Sequence, residues 1–264
     1  MKVSVIVPAW GVMPYIDTAL ASVRAQTHGE IELLVVAPPE DGPQTLPAAR
    51  AEGVARATGD WVLFLDADDW IDPDCVASML EAVDRENADL VCAGLVREGA
   101  DGRKVVRKFD LLGPNDTYNA LVTKLVRREA IKNVAWDKSV MLGEDLMISA
   151  QLLARARRIA VLDKAFYHYR QNPHSVTHRR DGARRVRDLA RVGALLREAL
   201  PGAEHGDFHD RVTRDAMLLW IRYRLMDRKI WRELRGRLKG GLLSDPRHGF
   251  LKKGALFCAS CLFD

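Results

Sequence analysis

The residues best suited to chemistry are closely spaced carboxylates that follow an apolar segment. Asp66 and Asp68 stand at positions i and i+2 directly after residues 61–65, and Asp69 comes next. If the chain turns there, the first two carboxylates can approach one divalent cation. Aspartate oxygens suit Mg²⁺ and Mn²⁺, which usually share their ligand shell with the phosphates of a substrate. A solvated acidic loop is the alternative, and the position of the motif in the fold has to decide between the two.

A second carboxylate pair, Glu144 and Asp145, occurs far along the chain. An enzyme whose leaving group is a metal-bound phosphate still needs a general base for the attacking nucleophile. The simpler alternative is that the pair begins a helix, because carboxylates in a first turn interact favourably with the helix dipole. The presence of both acidic motifs favours separate roles, in which the first motif binds the metal and the second supplies the general base.

Four apolar segments in the first hundred residues predict buried strands that would position these carboxylates. The segments are residues 3–7, 31–36, 61–65 and 90–96. Helices are expected between them, over residues 16–26, 48–57 and 72–86. This order predicts an α/β fold with a doubly wound, mostly parallel sheet flanked by helices. Such sheets bind ligands at the carboxyl ends of their strands, which is where residues 66–69 fall.

The pattern is less regular after residue 99. Helices are expected over residues 118–131 and 144–158, and short strands over residues 159–162 and 165–169. Further helices are expected over residues 181–200, 207–238 and 246–262. We therefore expect a catalytic domain over residues 1–178 and a helical C-terminal region over residues 179–264.

The composition is that of a globular protein, with 264 residues of which 48% are hydrophobic and 29% charged. No apolar run approaches the ~20 residues that a membrane-spanning helix needs. The first residues contain no cleavage pattern of a signal peptide. Four cysteines fit a reducing compartment, so we expect a cytoplasmic protein.

The charge is distributed unevenly along the chain. Residues 1–178 carry 20 basic and 25 acidic side chains, whereas residues 179–264 carry 20 basic and 11 acidic ones. The basic helices either pack against the rest of the protein or lie on an anionic surface, such as the inner face of the plasma membrane. No nucleic-acid-binding motif accompanies the charge, so nucleic acid is not an expected partner. The oligomeric state is left open.

Four segments resemble successive sequence blocks of the family 2 glycosyltransferases, which have the GT-A fold. The segments read VSVIVPAW, AARAEGVARATGDWVLFLDADDWIDPD, LGEDLMISAQLLARARRI and YHYRQNPHSVT, and they lie within residues 3–178. The resemblance implies an inverting transferase that takes a sugar from a nucleotide diphosphate, usually a uridine one, with Mn²⁺ or Mg²⁺. The implied acceptor is a hydroxyl of a glycan or lipid-linked glycan in surface polysaccharide synthesis.

The resemblance also implies roles for individual residues. Asp68 and Asp66, the DXD pair, would hold the metal and the donor, and Asp145 would be the base, with Glu144 as second candidate. Apart from the resemblance, the position of Trp70 directly after the acidic cluster predicts either stacking on an acceptor sugar or packing in the core. The remaining donor-binding candidates are Pro8, Ala9, Trp10, Arg50, Ala67, Arg170 and His174.

One segment departs from the family pattern. After the second strand the chain reads VVAPPEDGPQ, with Ala37 and Pro38 where the family has carboxylates that contact uracil. Asp41 lies a few residues late and is a candidate substitute. The identity of the base is therefore open, and a catalytically degenerate scaffold is one alternative. A haloacid-dehalogenase-like phosphatase is disfavoured, because its Asp-x-Asp would lie near the start of the domain.

Overall fold

The computed structural model describes residues 1–11, 13–109, 119–171, 182–202, 212–213, 216–218, 228–237 and 256. Its strands are β1 (Val3–Pro8), β2 (Ile31–Val36), β3 (Trp61–Phe64), β4 (Trp70–Ile71), β5 (Leu90–Glu98), β6 (Lys104–Arg107), β7 (Lys124–Arg127) and β8 (Ile159–Arg170). Its helices are α1 (Ile16–Arg24), α2 (Leu46–Arg56), α3 (Cys75–Glu86), α4 (Arg128–Lys132), α5 (Glu144–Arg155), α6 (Gly182–Ala199) and α7 (Arg228–Arg237).

The strands form one sheet in the order β2-β1-β3-β7-β5-β8-β4, with β6 paired to β5. The pairs β1–β2, β1–β3 and β5–β8 are parallel. Strand β7 runs antiparallel to both of its neighbours, β3 and β5. The expected α/β fold is confirmed, and one antiparallel strand lies in the middle of its parallel-rich sheet.

The prediction of a helix over residues 118–131 is wrong. Residue 118 lies outside the described residues, and Asn119 is helical. Leu121–Thr123 then form a single 3-10 turn, β7 follows, and Arg128–Lys132 are α-helical. The apolar residues of this segment suit either a helix face or a short strand. The segment forms a strand because it pairs with both β3 and β5, and such tertiary pairing overrides local propensity.

The two short strands expected over residues 159–162 and 165–169 are one strand, β8, with shifts in register opposite Gly94. A Cβ atom on Gly94 would lie 2.5 Å from the carbonyl oxygen of Arg107. The glycine therefore allows the close approach of β6 at the irregularity.

Helix α2 packs closely on the sheet and carries Arg50 to its carboxyl edge. Thr45 caps the helix by accepting the N–H of Ala48 at 3.3 Å. A Cβ atom on Gly53 would lie 2.4 Å from Cγ2 of Ile6 in β1, so the helix backbone almost touches the strand. This spacing fixes the distance between α2 and the strand ends.

The chain divides into two compact units. The first comprises Met1–Ser139 and Glu144–His178, and the second comprises Val140–Gly143 and Arg179–Asp264. In the second unit, Asp188 of α6 accepts the N–H of Met141 at 3.0 Å. None of the described helices combines the length and the hydropathy that a bilayer-spanning segment requires.

Candidate active site

The DXD segment is a turn at the carboxyl end of β3. The N–H of Asp69 donates to the carbonyl of Asp66 at 3.1 Å, which closes the turn. Asp69 is fully buried and accepts the hydroxyl of Tyr167 at 2.5 Å and the N–H of Arg170 at 2.8 Å. The Tyr167 oxygen in turn accepts the N–H of Asp66 at 3.2 Å. The acidic segment is therefore attached to β8 and is not a solvated loop.

Arg50 joins the two acidic motifs. Its guanidinium donates from Nη2 to Oδ1 of Asp66 at 2.7 Å and from Nη1 to Oε1 of Glu144 at 3.1 Å. Nη1 also donates a hydrogen bond to Oδ1 of Asp145. The arginine side chain is 1% exposed, so a buried cation lies among carboxylates from β3 and α5. Such a pairing is strong because the surrounding protein excludes water.

The two carboxylates of α5 have different surroundings. Burial raises the pKa of Glu144, and Asp145 raises it further, whereas Arg50 opposes both effects. Burial also raises the pKa of Asp145 against the effect of Arg50. The side chain of Asp145 is 31% exposed and that of Glu144 only 9%. Asp145 is therefore the member of the pair that a second molecule can reach.

A second buried cation, which sequence reasoning missed, lies at the start of β7. The ammonium group of Lys124 donates to the carbonyl of Ala120 at 2.7 Å. Burial lowers the pKa of Lys124 to about 8, while Cys92 and Asp145 oppose this change. Its signal in the sequence is one lysine within an apolar segment, and only the placement of β7 makes it part of the site.

Arg170 lies beside the DXD turn. Its Nε donates to the carbonyl of Asp68 at 2.9 Å. Its guanidinium carbon lies 4.3 Å from the centre of the Tyr15 ring and 4.8 Å from that of Trp70. Tyr15 was not a sequence candidate, because nothing local marks an aromatic residue before α1 as part of a site.

The other predicted donor residues are distributed around the same edge. Pro8 ends β1, Ala9 donates its N–H to Val36 at 2.8 Å, and the Trp10 indole donates to the carbonyl of Gln44 at 2.9 Å. Ala67 lies in the DXD turn and packs against the core. Asp41 is exposed and makes no hydrogen bond or ion pair with any described residue. His174 lies outside the described residues.

The carboxylates of the DXD turn can supply only some of the ligands of a divalent metal ion. Among the residues that the structure describes, no group of three histidines, cysteines, aspartates or glutamates could hold a metal ion. Asp66 and Asp68 offer carboxylate oxygens, and one oxygen of Asp66 already accepts a hydrogen bond from Arg50. Mg²⁺ and Mn²⁺ are often bound by one or two carboxylates with phosphates and water as the other ligands. The residues therefore fit an ion that arrives with a diphosphate.

The family model described as "Glycosyl transferase family 2" matches residues 40–138. The chain is 25% identical over 221 residues to the uncharacterized glycosyltransferase EpsJ of Bacillus subtilis, covering 66% of this chain and 62% of EpsJ. It is 26% identical over 204 residues to the poly(ribitol-phosphate) beta-N-acetylglucosaminyltransferase TarS of Staphylococcus aureus, covering 64% of this chain and 35% of TarS.

The structure of S. aureus TarS 1–349 in complex with UDP-GlcNAc has a similar fold. The TM-score is 0.63 at 18% identity, covering 90% of this chain and 80% of that one. The predicted GT-A fold is thereby confirmed. The resemblance to the family 2 glycosyltransferases that the motifs indicated is confirmed by this family-model match. It spans less than two thirds of the length of the curated relatives that it matches.

Proposed function

We propose that this chain is an inverting, metal-dependent glycosyltransferase that uses a UDP-sugar. Its acceptor would be a hydroxyl of a glycan or lipid-linked glycan in surface polysaccharide synthesis on the cytoplasmic side of the membrane. The observation that carries the proposal is the convergence of Asp66 and Asp145 on Arg50, which brings a donor motif and a base motif to one edge of the sheet. The names of EpsJ and TarS, and the UDP-GlcNAc complex of TarS, support the substrate class.

Asp145 is the proposed base. Its carboxylate accepts the proton of the acceptor hydroxyl while that oxygen attacks the anomeric carbon of the donor. The bond between the anomeric carbon and the diphosphate breaks in the same displacement, so the configuration inverts and no covalent enzyme intermediate forms. A pKa raised by burial makes Asp145 a better proton acceptor than an ordinary carboxylate. Glu144, which is almost wholly buried, is the second candidate.

Asp68 and Asp66 would hold Mn²⁺ or Mg²⁺ together with the donor diphosphate. A divalent ion bound there supplies positive charge that offsets the charge of the leaving diphosphate. Arg50 keeps the carboxylate of Asp66 at the strand end, and Arg170 adds a cation of the protein itself beside Asp68.

The nucleotide would lie against the loops after β1 and β2. Pro8, Ala9, Trp10 and Ala67 are the proposed contacts there, and His174 is proposed to close over the diphosphate. Ala37 and Pro38 offer no carboxylate to uracil, and the exposed Asp41 is the nearest acidic substitute in sequence. For Trp70, contacts with Arg170 and His168 favour packing over stacking on an acceptor sugar.

The test is a calorimetric titration of UDP, GDP, CDP and dTDP into the purified protein, with and without Mn²⁺. We expect UDP to bind more tightly with Mn²⁺, and Asp68→Asn to lose this dependence on the metal. The matched control is Asp163→Asn, since the side chain of Asp163 is 79% exposed and belongs to neither acidic motif. If another nucleotide binds more tightly than UDP, the donor carries that base instead of uracil. A folded protein that binds none of the four would favour the degenerate scaffold.

We also propose peripheral association of the second unit with an anionic membrane. Helix α6 presents three exposed arginines at positions i, i+3 and i+7, namely Arg184, Arg187 and Arg191. Basic side chains near an anionic bilayer each contribute about 1 kcal/mol to binding. An enzyme that extends a lipid-linked glycan would be held near its acceptor in this way.

A further inference from the structure

We infer that Tyr15 is a positioning residue which, together with Trp70, holds the Arg170 guanidinium ready for a diphosphate. The inference rests on the proposed function, since the diphosphate would be that of the nucleotide-sugar donor. It adds a residue that no sequence motif indicates. Its basis is the set of contacts around Arg170, which are unlike those of an ordinary surface arginine.

The Arg170 guanidinium contacts two aromatic rings. Its central carbon lies 4.3 Å from the centre of the Tyr15 ring and 4.8 Å from the centre of the Trp70 ring. Both distances are well within the ~6 Å at which an aromatic ring attracts a cation. The rings come from separate parts of the fold, since Tyr15 precedes α1 and Trp70 begins β4. The position of Arg170 therefore depends on both elements.

Tyr15 acts through its ring. The side chain is 37% exposed, and its hydroxyl makes no hydrogen bond with any residue that the structure describes. A ring without the hydroxyl should serve equally well. Phenylalanine at this position is therefore a conservative substitution, and leucine removes only the aromatic character and part of the contact area.

Trp70 is held in place by a separate set of contacts. Its ring stacks on that of His168 with centroids 5.0 Å apart and planes inclined by 9°. Nδ1 of His168 lies 2.8 Å from Glu98, and Nε2 lies 3.0 Å from Asp72. The imidazole is therefore fixed at both nitrogens, and Trp70 offers Arg170 a firm surface.

The N–H groups of Arg170 that no described residue accepts can bind a ligand. Nε donates to the carbonyl of Asp68 at 2.9 Å. Within the described residues, the two terminal nitrogens donate no hydrogen bond. Ring contacts use the face of a guanidinium and leave its edge for hydrogen bonds, and that edge matches phosphate oxygens in geometry and charge. The ligand that suits this site, beside Asp68, is a diphosphate.

The experiment titrates inorganic pyrophosphate and UDP, each with Mn²⁺, into wild type, Tyr15→Leu and Tyr15→Phe. We expect Tyr15→Leu to weaken the binding of both ligands roughly three- to tenfold, which is the strength of one partly exposed cation–π contact. Tyr15→Phe should keep the wild-type affinity. With a full substrate system, Tyr15→Leu should raise the KM for the donor by the same factor and leave kcat nearly unchanged.

The matched control is Arg127→Gln. Its guanidinium lies 4.7 Å from the centre of the Trp61 ring, at the opposite end of β3, so this variant also removes a cation–π contact. It should not change the affinity for either ligand. Thermal unfolding of every variant separates a loss of affinity from a loss of structure.

The outcomes separate the inference from the proposed function. Equal pyrophosphate affinity in wild type and Tyr15→Leu would overturn the inference and leave the proposed function intact. Absence of pyrophosphate binding by the folded wild type would overturn it as well. If pyrophosphate binds and Tyr15→Leu weakens it, the inference holds, even when no nucleotide binds and the proposed function fails.

Discussion

At the scale of single residues, Arg50 determines the charge balance of the site. Its one positive charge lies among Asp66, Glu144 and Asp145, and the three carboxylates raise its pKa well above the ordinary value although burial opposes this. A buried carboxylate without a partner is costly, because the protein interior solvates charge poorly. The arginine therefore offsets the negative charge that the acidic motifs of two elements bring together.

Replacement of Arg50 by methionine should destabilise the protein strongly. Removing one partner from a buried charge cluster typically costs about 3–5 kcal/mol in the free energy of unfolding. The loss should be greatest at pH 8 and smaller at pH 6. Burial already raises the pKa of Glu144 and Asp145, so without Arg50 they would protonate as the pH falls, which relieves the repulsion in the folded state.

Urea unfolding at the two pH values measures this effect. Arg127→Met is the control, because Arg127 is 48% exposed and pairs with the first residue of β3, at the end of that strand away from Asp66. A deficit for Arg50→Met that is equal at pH 8 and pH 6 would show that lost packing, and not uncompensated charge, is the cause.

Replacement of Asp145 by asparagine should abolish sugar transfer and leave donor binding intact. Loss of a general base typically lowers kcat by about 10²–10⁴-fold, because asparagine cannot accept the proton. The affinity for UDP, measured by calorimetry, should stay within about twofold of wild type, since the proposed contacts of the donor lie elsewhere.

Glu144→Gln provides the comparison for the same assay. Because Glu144 is only 9% exposed, we expect a smaller loss of kcat than for Asp145→Asn. A larger loss for Glu144→Gln would exchange the roles of the two residues, and a normal rate for Asp145→Asn would exclude it as the base.

At the scale of elements, a partly buried carboxylate at the amino end of the sheet connects β1 and β2 to the turn before β3. Glu32 accepts the Ser4 hydroxyl at 2.6 Å, the Thr58 N–H at 2.8 Å and the Lys2 ammonium at 3.2 Å. Burial opposes ionisation of Glu32, but these hydrogen bonds outweigh it and lower its pKa to about 2. This network fixes the strand order at the end opposite to the site.

Replacement of Glu32 by glutamine should therefore lower the free energy of unfolding at neutral pH. We expect a loss of about 2 kcal/mol, which is typical of hydrogen bonds to a charged group. The carboxylate stabilises the fold fully above its unfolded pKa of 4.5, and this contribution is lost as the pH falls towards 2. The difference between wild type and variant should shrink over that range.

Chemical unfolding at pH 7 and pH 3 measures the difference. Glu30→Gln, at the exposed position just before β2, is the matched control and should have little effect at either pH. A Glu32→Gln deficit that is the same at both pH values would contradict the assigned role of the charge.

At the scale of the whole molecule, charge is separated between the two units. The first 178 residues have an excess of acidic side chains and the last 86 an excess of basic ones. An excess of basic side chains in the second unit favours its attraction to an anionic surface. The exposed arginines of α6 belong to the described portion of this basic region.

The membrane proposal predicts binding to vesicles that contain phosphatidylglycerol and little binding to pure phosphatidylcholine. Substitution of Arg184, Arg187 and Arg191 by glutamine should weaken binding by roughly a hundredfold at low salt, at about 1 kcal/mol for each charge. Sedimentation with vesicles at two salt concentrations measures the effect, because electrostatic adsorption weakens as salt screens it.

The control removes an equal charge from the first unit. Arg103, Lys104 and Lys108 are well exposed, and their substitution by glutamine should leave vesicle binding almost unchanged. If both triple variants bind equally well, the basic face of α6 does not contact the bilayer.

The amino-acid sequence by itself determined the strands β1, β2, β3 and β5, the helices between them and both acidic motifs. These features are local, because a continuous apolar run encodes burial and the spacing of two aspartates is visible in a few residues. The α/β class and the resemblance to a glycosyltransferase family followed from them. The resemblance also marked Arg50 as part of the donor region, although it gave no partner for its charge.

Only the tertiary structure decided how distant segments meet. It placed β7 between β3 and β5, where local pattern favoured a helix, and it brought Lys124 to the site with that strand. It buried Asp69 against Tyr167, and it set Tyr15 and Trp70 around Arg170. The physical reason is that strand pairing, buried ion pairs and ring contacts join residues far apart in the chain. Their free energy depends on geometry and exclusion of water, which no short sequence pattern encodes.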